Sequence, residues 1–542
     1  MTSPSLLPRV WLSACALALV TLAGCDDTPD PVADAGTPPV EDAGPEPWDG
    51  GYTVLEERGD WIDRGPFAPC TLAPGTTPSC HDLTPSHFDL SSCDADALAG
   101  LEPHGIYQAA MRSETVAEDG GTAVGFSSVG FMLHSDGGTD TLAGRPIATR
   151  LTDGGSFFIA TLPPSAPTIN FAYAGCKTPS PGVISGCFIR CIGGRYSRAG
   201  TFEAHRMTWP DGEAEASGGL VLRSESLVAL GVPVDIYVTK EHAYVVSLDR
   251  PGKPGGLTVF DVSDRSRPVF KTSISIPGDS YWNGVWALGD ALYVASDVSG
   301  TIVFDISRPA EPAFLRSLPS SQYGVHTVLV DGDRLYAADN GGLSRIYDVT
   351  NPLEPVLRQT ISLDFLGGGV HDHFAYQGRL YINNSYAGLS VVDVSNLDAV
   401  LHLGRYVHGG YSHHNAVGTF AGRTIAFEGG EFAASHLRVL DVTDPARIVK
   451  IGEYRKRPVT SIHNMILRAD RLYIAWYHEG LRVLDVSNPT KPREVGHFNT
   501  FRESDPGRSE GIFGGAYGIR LPGDGFVYVV DSTRGLLILD EP

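Results

Sequence analysis

The chain has 542 residues, room for roughly two to four ordinary domains, or for one large repeat architecture beside a smaller domain. Its 41 basic and 63 acidic residues give a formal charge of −22. That balance disfavours nucleic acid and anionic membrane surfaces as partners, because both would repel the chain.

The first 25 residues read "MTSPSLLPRVWLSACALALVTLAGC", with Arg9 ahead of an apolar run from Val10 to Leu22. The run is short for a membrane span and follows a basic residue, as in a secretory signal. Leu22-Ala23-Gly24-Cys25 resembles the lipobox of bacterial lipoproteins. The resemblance implies removal of a signal peptide over residues 1–24 and a lipid on the Cys25 thiol as the sole membrane tether. The expected location is the cell envelope, the outer membrane or cell surface ahead of the inner membrane. Against that order, Asp26-Asp27 is the kind of pair that retains some bacterial lipoproteins at the inner membrane. Residues 25–51 follow as an acidic Pro/Gly-rich linker without Lys or Arg, too polar to bury a core.

Residues 52–216 are expected to form a small β-rich domain of unassigned fold. Runs such as "TAVGFSSVGFML" and "GSFFIATL" alternate there with Gly, Asp and Pro clusters. Six cysteines fall in this part: Cys70, Cys80, Cys93, Cys176, Cys187 and Cys191. In an exported chain an even number predicts up to three disulfides, with fifteen pairings open. A metal site at Cys187-x3-Cys191 is the weaker alternative. No G-x-S-x-G, H-E-x-x-H or phosphate-binding glycine loop is present.

From residue 217 to 542 cysteine disappears and a repeat begins, with units such as "GLTVFDVSDRSRPV", "GLSVVDVSNLDAV" and "GLRVLDVSNPTKP". The repeated aspartates are Asp261, Asp305, Asp348, Asp393, Asp441, Asp485 and Asp540, spaced by 44, 43, 45, 48, 44 and 55 residues. A period in the forties with alternating apolar residues predicts β-propeller blades of four strands. The aspartates are read as turn residues, not as seven catalytic acids. The last unit stops where its fourth strand should begin, and "LVLRSESL" from Leu220 resembles that missing strand. The predicted architecture is therefore all-β: a seven-bladed propeller closed by a strand from its N-terminal side, preceded by the disulfide-braced domain.

The D-V-S-x-P turn with G-L-x-V-x before it resembles the bacterial LVIVD-repeat family over residues 220–542. The segment "HNMILRADRLYIAWYHEGLRVLDVSNPTKPREVG" carries the resemblance most specifically. What the family implies is a fold and a surface location rather than a reaction. Ser435, where other units have Gly, and the spacings of 48 and 55 depart from the pattern and are read as loop variation.

Counting back from the second strand of each unit gives the column Val234, Asn283, His326, His371, His414, His463 and Tyr517. The first strand of a blade lines the central channel, so four histidines should form an arc at one mouth. His373 lies two residues on from His371, on the same side and deeper. The ends of the second strands return to the same mouth and bring Asp339, Asn384, Glu428, Trp476 and Asp531 toward it. Three readings follow. The histidines brace the blades, with Asp339 serving His326 and with Asn415 and Asn464 capping turns. Alternatively, His326, His371, His373, His414 and His463 with Glu428 bind Zn, Cu or Fe. In the third, an organic or peptide ligand stacks on Trp282, Trp476, Tyr477 and Tyr517, within polar reach of Asn283 and Asp531. His408 and His413, in the loop feeding the fifth unit, are the weaker candidates. The function expected is a lipid-anchored binding or scaffold module, with a protein or small molecule at the propeller face. A metal-dependent oxidoreductase or hydrolase, with Glu428 as ligand or base, is the alternative.

Overall fold

A computed structural model describes residues 48–542, apart from 76–77, 102, 117–119, 162–168 and 364. The expected signal peptide, Cys25 and most of the linker lie outside the described residues. Among the described residues no helix is long and apolar enough to cross a membrane.

Seven four-stranded antiparallel sheets follow one another from residue 222 to 540. Blade one comprises Val232–Thr239, His242–Leu248, Gly256–Asp261 and Val269–Ile274. Blade seven comprises Ala516–Arg520, Phe526–Asp531 and Gly535–Asp540, and its fourth strand is Leu222–Ser226. Ser226 pairs with Leu536 and Leu222 with Leu539, so the strand from the N-terminal side closes the ring as expected. Closure removes two open sheet edges.

The repeat residues do local work. The aspartate side chain accepts from the backbone N–H two residues on: Ser263 on Asp261, Ser307 on Asp305, Thr350 on Asp348, Ser395 on Asp393, Thr443 on Asp441 and Ser487 on Asp485. These bonds form the turn between third and fourth strands. The glycine opening the third strand adopts positive φ, as at Gly300 (72°) and Gly480 (74°). Other residues reach that region only at a cost. Blade five has His436 at the matching position, after Ser435, and its positive φ falls at Ala434 (67°).

The disulfide-braced part is a closed eight-stranded barrel. Its long strands are Gly105–Val116, Thr122–Leu133, Ile169–Ser180, Val183–Ile192 and Arg195–Arg206. Tyr107, Phe131, Tyr173, Phe188 and Phe202 fill its interior. Cys187, Ile189 and Cys191 share the outer face of one strand, as period-two alternation requires. The pairs are Cys70–Cys187, Cys80–Cys191 and Cys93–Cys176, so residues 70–93 are stapled across the outside of the barrel. Cys187 and Cys191 enter separate disulfides and do not form a C-x3-C metal site.

Barrel and propeller belong to one compact unit, Pro47–Pro542. The spacing of 55 is explained by the run 499–515 between blades six and seven, which docks on the barrel. Gln108 Nε2 donates to the Glu510 carbonyl at 2.7 Å, Gly144 N donates to the Glu510 carboxylate at 2.9 Å, and Arg206 pairs with Glu503. Ile106, Ala110, Met207, Val459 and Phe501 form the apolar part of this junction. Residues 48–60 run along blade five. Trp48 packs into the core between blades five and six, and Leu55 N donates to Lys450 O at 2.8 Å.

Candidate functional site

In five blades a register shift in the first strand brackets a single residue: Val234, Asn283, His326, His413 and Tyr517. A β-bulge turns its extra residue out of the ladder and re-aims the side chain. In blades four and six the matching positions, His371 and His463, precede the first strand. Six of these residues make a continuous arc. Asn283 Nδ2 lies 3.1 Å from His326 Nε2, and His326 Nε2 lies 3.0 Å from His371 Nε2. His371, His413 and His463 follow one another as tilted rings, with centroids 4.1 and 4.7 Å apart, and the His463 ring meets that of Tyr517 at 4.9 Å.

Three imidazoles are fixed by the same device. His371 Nδ1 donates to the His413 carbonyl (3.2 Å), His413 Nδ1 to the His463 carbonyl (3.0 Å) and His463 Nδ1 to the Tyr517 carbonyl (2.9 Å). A carbonyl only accepts, so Nδ1 holds the hydrogen and Nε2 keeps a bare lone pair in the neutral ring. Burial keeps the rings neutral, lowering His326 to about 4, His463 to about 3, and His371 and His413 well below the ordinary histidine range.

One carboxylate reaches the arc. Glu431 Oε1 stands 3.7 Å from His413 Nε2 and accepts from Tyr477 OH at 2.6 Å. Burial pushes Glu431 up to about 7. Tyr477 holds this position with φ at 26°, unusual for an aromatic residue and a local strain of the kind that collects at functional sites. Tyr411, Phe432 and Phe513 ring the same rim, with Phe432 41 % and Phe513 37 % exposed.

A cavity of about 190 Å³ runs inward from His371, His413 and His463. The next layer of side chains down contains Asp235, Thr327, Asp372 and His414. Thr327 donates to Asp372 Oδ1 at 3.1 Å, and His414 Nε2 is 3.4 Å from Asp372 Oδ2. Burial raises Asp235 to about 6 and Asp372 to about 7. Below them Arg520 lies against the faces of Tyr237 and Trp286, at 4.3 and 4.2 Å. The volume is below the roughly 300–1,000 Å³ of pockets for drug-sized molecules, and suits an ion or a very small ligand.

Five segments match the model of the LVIVD repeat: 231–275, 280–318, 368–407, 468–500 and 514–540. Five of the propeller's blades match the LVIVD repeat. The matches fall on blades one, two, four, six and seven, and blades three and five share the same four-stranded build. No curated protein matches the chain. Among solved structures, the computationally designed Ika8 protein aligns at 10 % identity over 68 % of this chain and 93 % of its own, with a TM-score of 0.41. U3-55K aligns at 10 % identity over 59 % of this chain and 98 % of its own, with a TM-score of 0.45. Likeness at that level bears on neither function nor site.

The propeller brings some of the expected residues together and separates others. His326, His371, His463, Asn283, Tyr477 and Tyr517 meet at the mouth, and Asn464 lines the cavity. His414 does not join the arc: the bulge hands that place to His413 and sends His414 one layer deeper. Glu428 does not reach the mouth either. Its oxygens face His408 (3.3 Å) and Arg438 (3.6 Å), because the hairpin of blade five is extended and its second strand continues to Glu431. His373 turns toward blade three and shares a hydrogen bond with Ser344 Oγ at 2.7 Å. Trp476 and Trp282 are fully buried in blade cores and offer no stacking surface. Asp339 accepts from Ser321 N, Gly341 N and Arg345 Nε rather than serving His326. Asp531 is held by Arg508 and by the backbone N–H groups of Thr533 and Arg534. Asn415 bonds Asn383 across blades, and Asn384 Oδ1 accepts from Gly369 N. Sequence reasoning undervalued His413 and missed Glu431. The doubled histidine in "YSHHNAV" was the available signal.

Proposed function

We propose that this chain is an exported protein held at the cell envelope by a lipid on Cys25, and that its propeller acts there as a binding module with its ligand site at the histidine mouth. The observation that carries the reading is the division of labour within each anchored imidazole. Nδ1–H ties one blade to the next, and Nε2 faces other side chains of the mouth, His326 for His371 and Glu431 for His413. A residue that only braced blades would need the first bond alone. The small cavity favours an ion or small molecule inside, and the exposed Phe432 and Phe513 offer an apolar rim to a larger partner. The three disulfides agree with an oxidising compartment. The net charge of −22 argues against nucleic acid.

The test exploits geometry. An asparagine amide can reproduce a histidine's Nδ1–H donor and lacks Nε2. His413→Asn is expected to cost less than about 1 kcal/mol of folding stability, whereas His413→Ala loses the bond and costs about 1–3 kcal/mol. If the Asn variant is as unstable as the Ala variant, Nε2 is a structural partner and the binding reading fails. The anchor is tested separately. The full chain should fractionate with membranes and Cys25→Ser should release it; an unchanged distribution contradicts the lipid tether.

A metal-dependent oxidoreductase or hydrolase is the second reading. One observation favours it, the Glu431 carboxylate beside His413 Nε2, a placement available to a ligand or a general base.

A further inference from the structure

We infer that His371, His413 and Glu431 form a divalent transition-metal site at the channel mouth, with His326 as a further ligand. The inference rests on the binding reading above and names the ligand class for the same mouth. One ligand nitrogen from each of His371 and His413 and one carboxylate oxygen of Glu431 lie within 4.8 Å of one another. Metal–ligand bonds of about 2.0–2.2 Å place tetrahedral donors roughly 3.3 Å apart, so closing the site needs side-chain shifts on the order of 1 Å. His413 Nε2 and Glu431 Oε1 are already at 3.7 Å, and the Nε2 atoms of His326 and His371 at 3.0 Å.

The Nε2 atoms of His326 and His371 also face each other directly. His371 Nε2 bears a lone pair, because Nδ1 gives its hydrogen to the His413 carbonyl. His326 Nε2 faces both that lone pair and the amide nitrogen of Asn283. With a hydrogen on Nε2, His326 donates to His371 and the Asn283 amide turns its oxygen toward the ring; without one, two lone pairs face each other. In the second state a cation held by both lone pairs satisfies His371 and His326 together.

The ligands are supported from behind. Carbonyls orient the His371 and His413 rings through Nδ1, and Tyr477 OH orients Glu431, as outer partners of metal ligands do. Imidazole with carboxylate is a donor set for Zn, Cu or Fe rather than for Mg or Ca.

The full chain, expressed for export and purified in detergent without chelators or immobilised metal, is assayed for Zn, Cu and Fe. The metal-stripped protein is then titrated with Zn²⁺. One equivalent is expected. His413→Asn and Glu431→Gln should each weaken Zn²⁺ binding by more than about 100-fold, beyond the 10–100-fold seen when only an outer partner is lost. His402→Ala, at an exposed position on the outer strand of blade four, should leave binding unchanged. The inference is overturned if the wild type neither carries nor takes up metal, or if both mouth variants retain it. It is overturned too if His402→Ala removes it. Absence of metal with His413→Asn fully stable would defeat this inference alone. Instability of His413→Asn would defeat the binding reading beneath it.

Discussion

Arg438→Met is expected to destabilise the protein by about 3–5 kcal/mol, the range for removing one partner of a buried ion pair. The Arg438 side chain is completely buried on the third strand of blade five. Its guanidinium meets Glu57 Oε2 at 3.1 Å, Asp60 Oδ1 at 2.7 Å and Glu428 Oε2 at 3.6 Å. Burial alone would raise these carboxyls, yet Arg438 holds Glu57 at about 2, and His436 together with Arg438 holds Asp60 at about 2. Methionine keeps the apolar stem, takes the guanidinium from Asp60 and Glu428, and leaves Glu57 with Lys450 at 3.5 Å. Both depressed groups contribute stability that is present above their unfolded pKa, near 4, and lost as pH falls toward 2. The wild type's advantage over Arg438→Met should fade across that same window. Glu57 and Asp60 also fasten residues 48–60 to the propeller, so proteolysis at Arg58 should accelerate in the variant. Denaturant unfolding with a loss under 1 kcal/mol would contradict this account.

Removing the Cys93–Cys176 disulfide by alanine substitution of both residues should cost about 2–5 kcal/mol. The link closes a loop across a sequence separation of 83 and ties the segment containing helix Ala95–Ala99 to the barrel strand Ile169–Ser180. The staple matters because residues 70–93 have little core of their own. Phe88 and Leu83 reach the apolar outer face of the barrel around Ala172, Ala174 and Ile189. The propeller has no cysteine, so reductant should lower the stability of the barrel and leave blade packing intact. Limited proteolysis with and without reductant distinguishes the two parts. Equal resistance of the barrel in both conditions would show that the disulfides do not hold it.

The blades were legible because each repeat residue has a local job. Asp closes its own turn, Gly supplies positive φ, and alternating apolar residues face neighbouring blades on both sides. The barrel was legible only as β-rich and disulfide-bonded. Residues Ile106–Ser113 are buried without a break, since one face fills the barrel and the other meets Phe501 and Val459 of the propeller. That erases the period of two on which strand reading depends. The mouth was partly legible. Counting residues finds a ring position only where hairpins have equal length, and blade five has strands of 10 and 9 residues with a bulge at His413. The same extension moves the mouth carboxylate from Glu428 to Glu431.

The mouth imidazoles of His371, His413 and His463 are neutral, hold hydrogen on Nδ1 and present bare Nε2 atoms. Long-range proton–nitrogen NMR on protein labelled with ¹⁵N-histidine, in metal-free buffer, reads this directly, and single His→Asn variants assign the signals. The expected result is that His371, His413 and His463 appear as neutral Nδ1–H tautomers at pH 7 and remain so at pH 5. Nε2–H tautomers at these positions, or imidazolium rings already formed at pH 6, would contradict it.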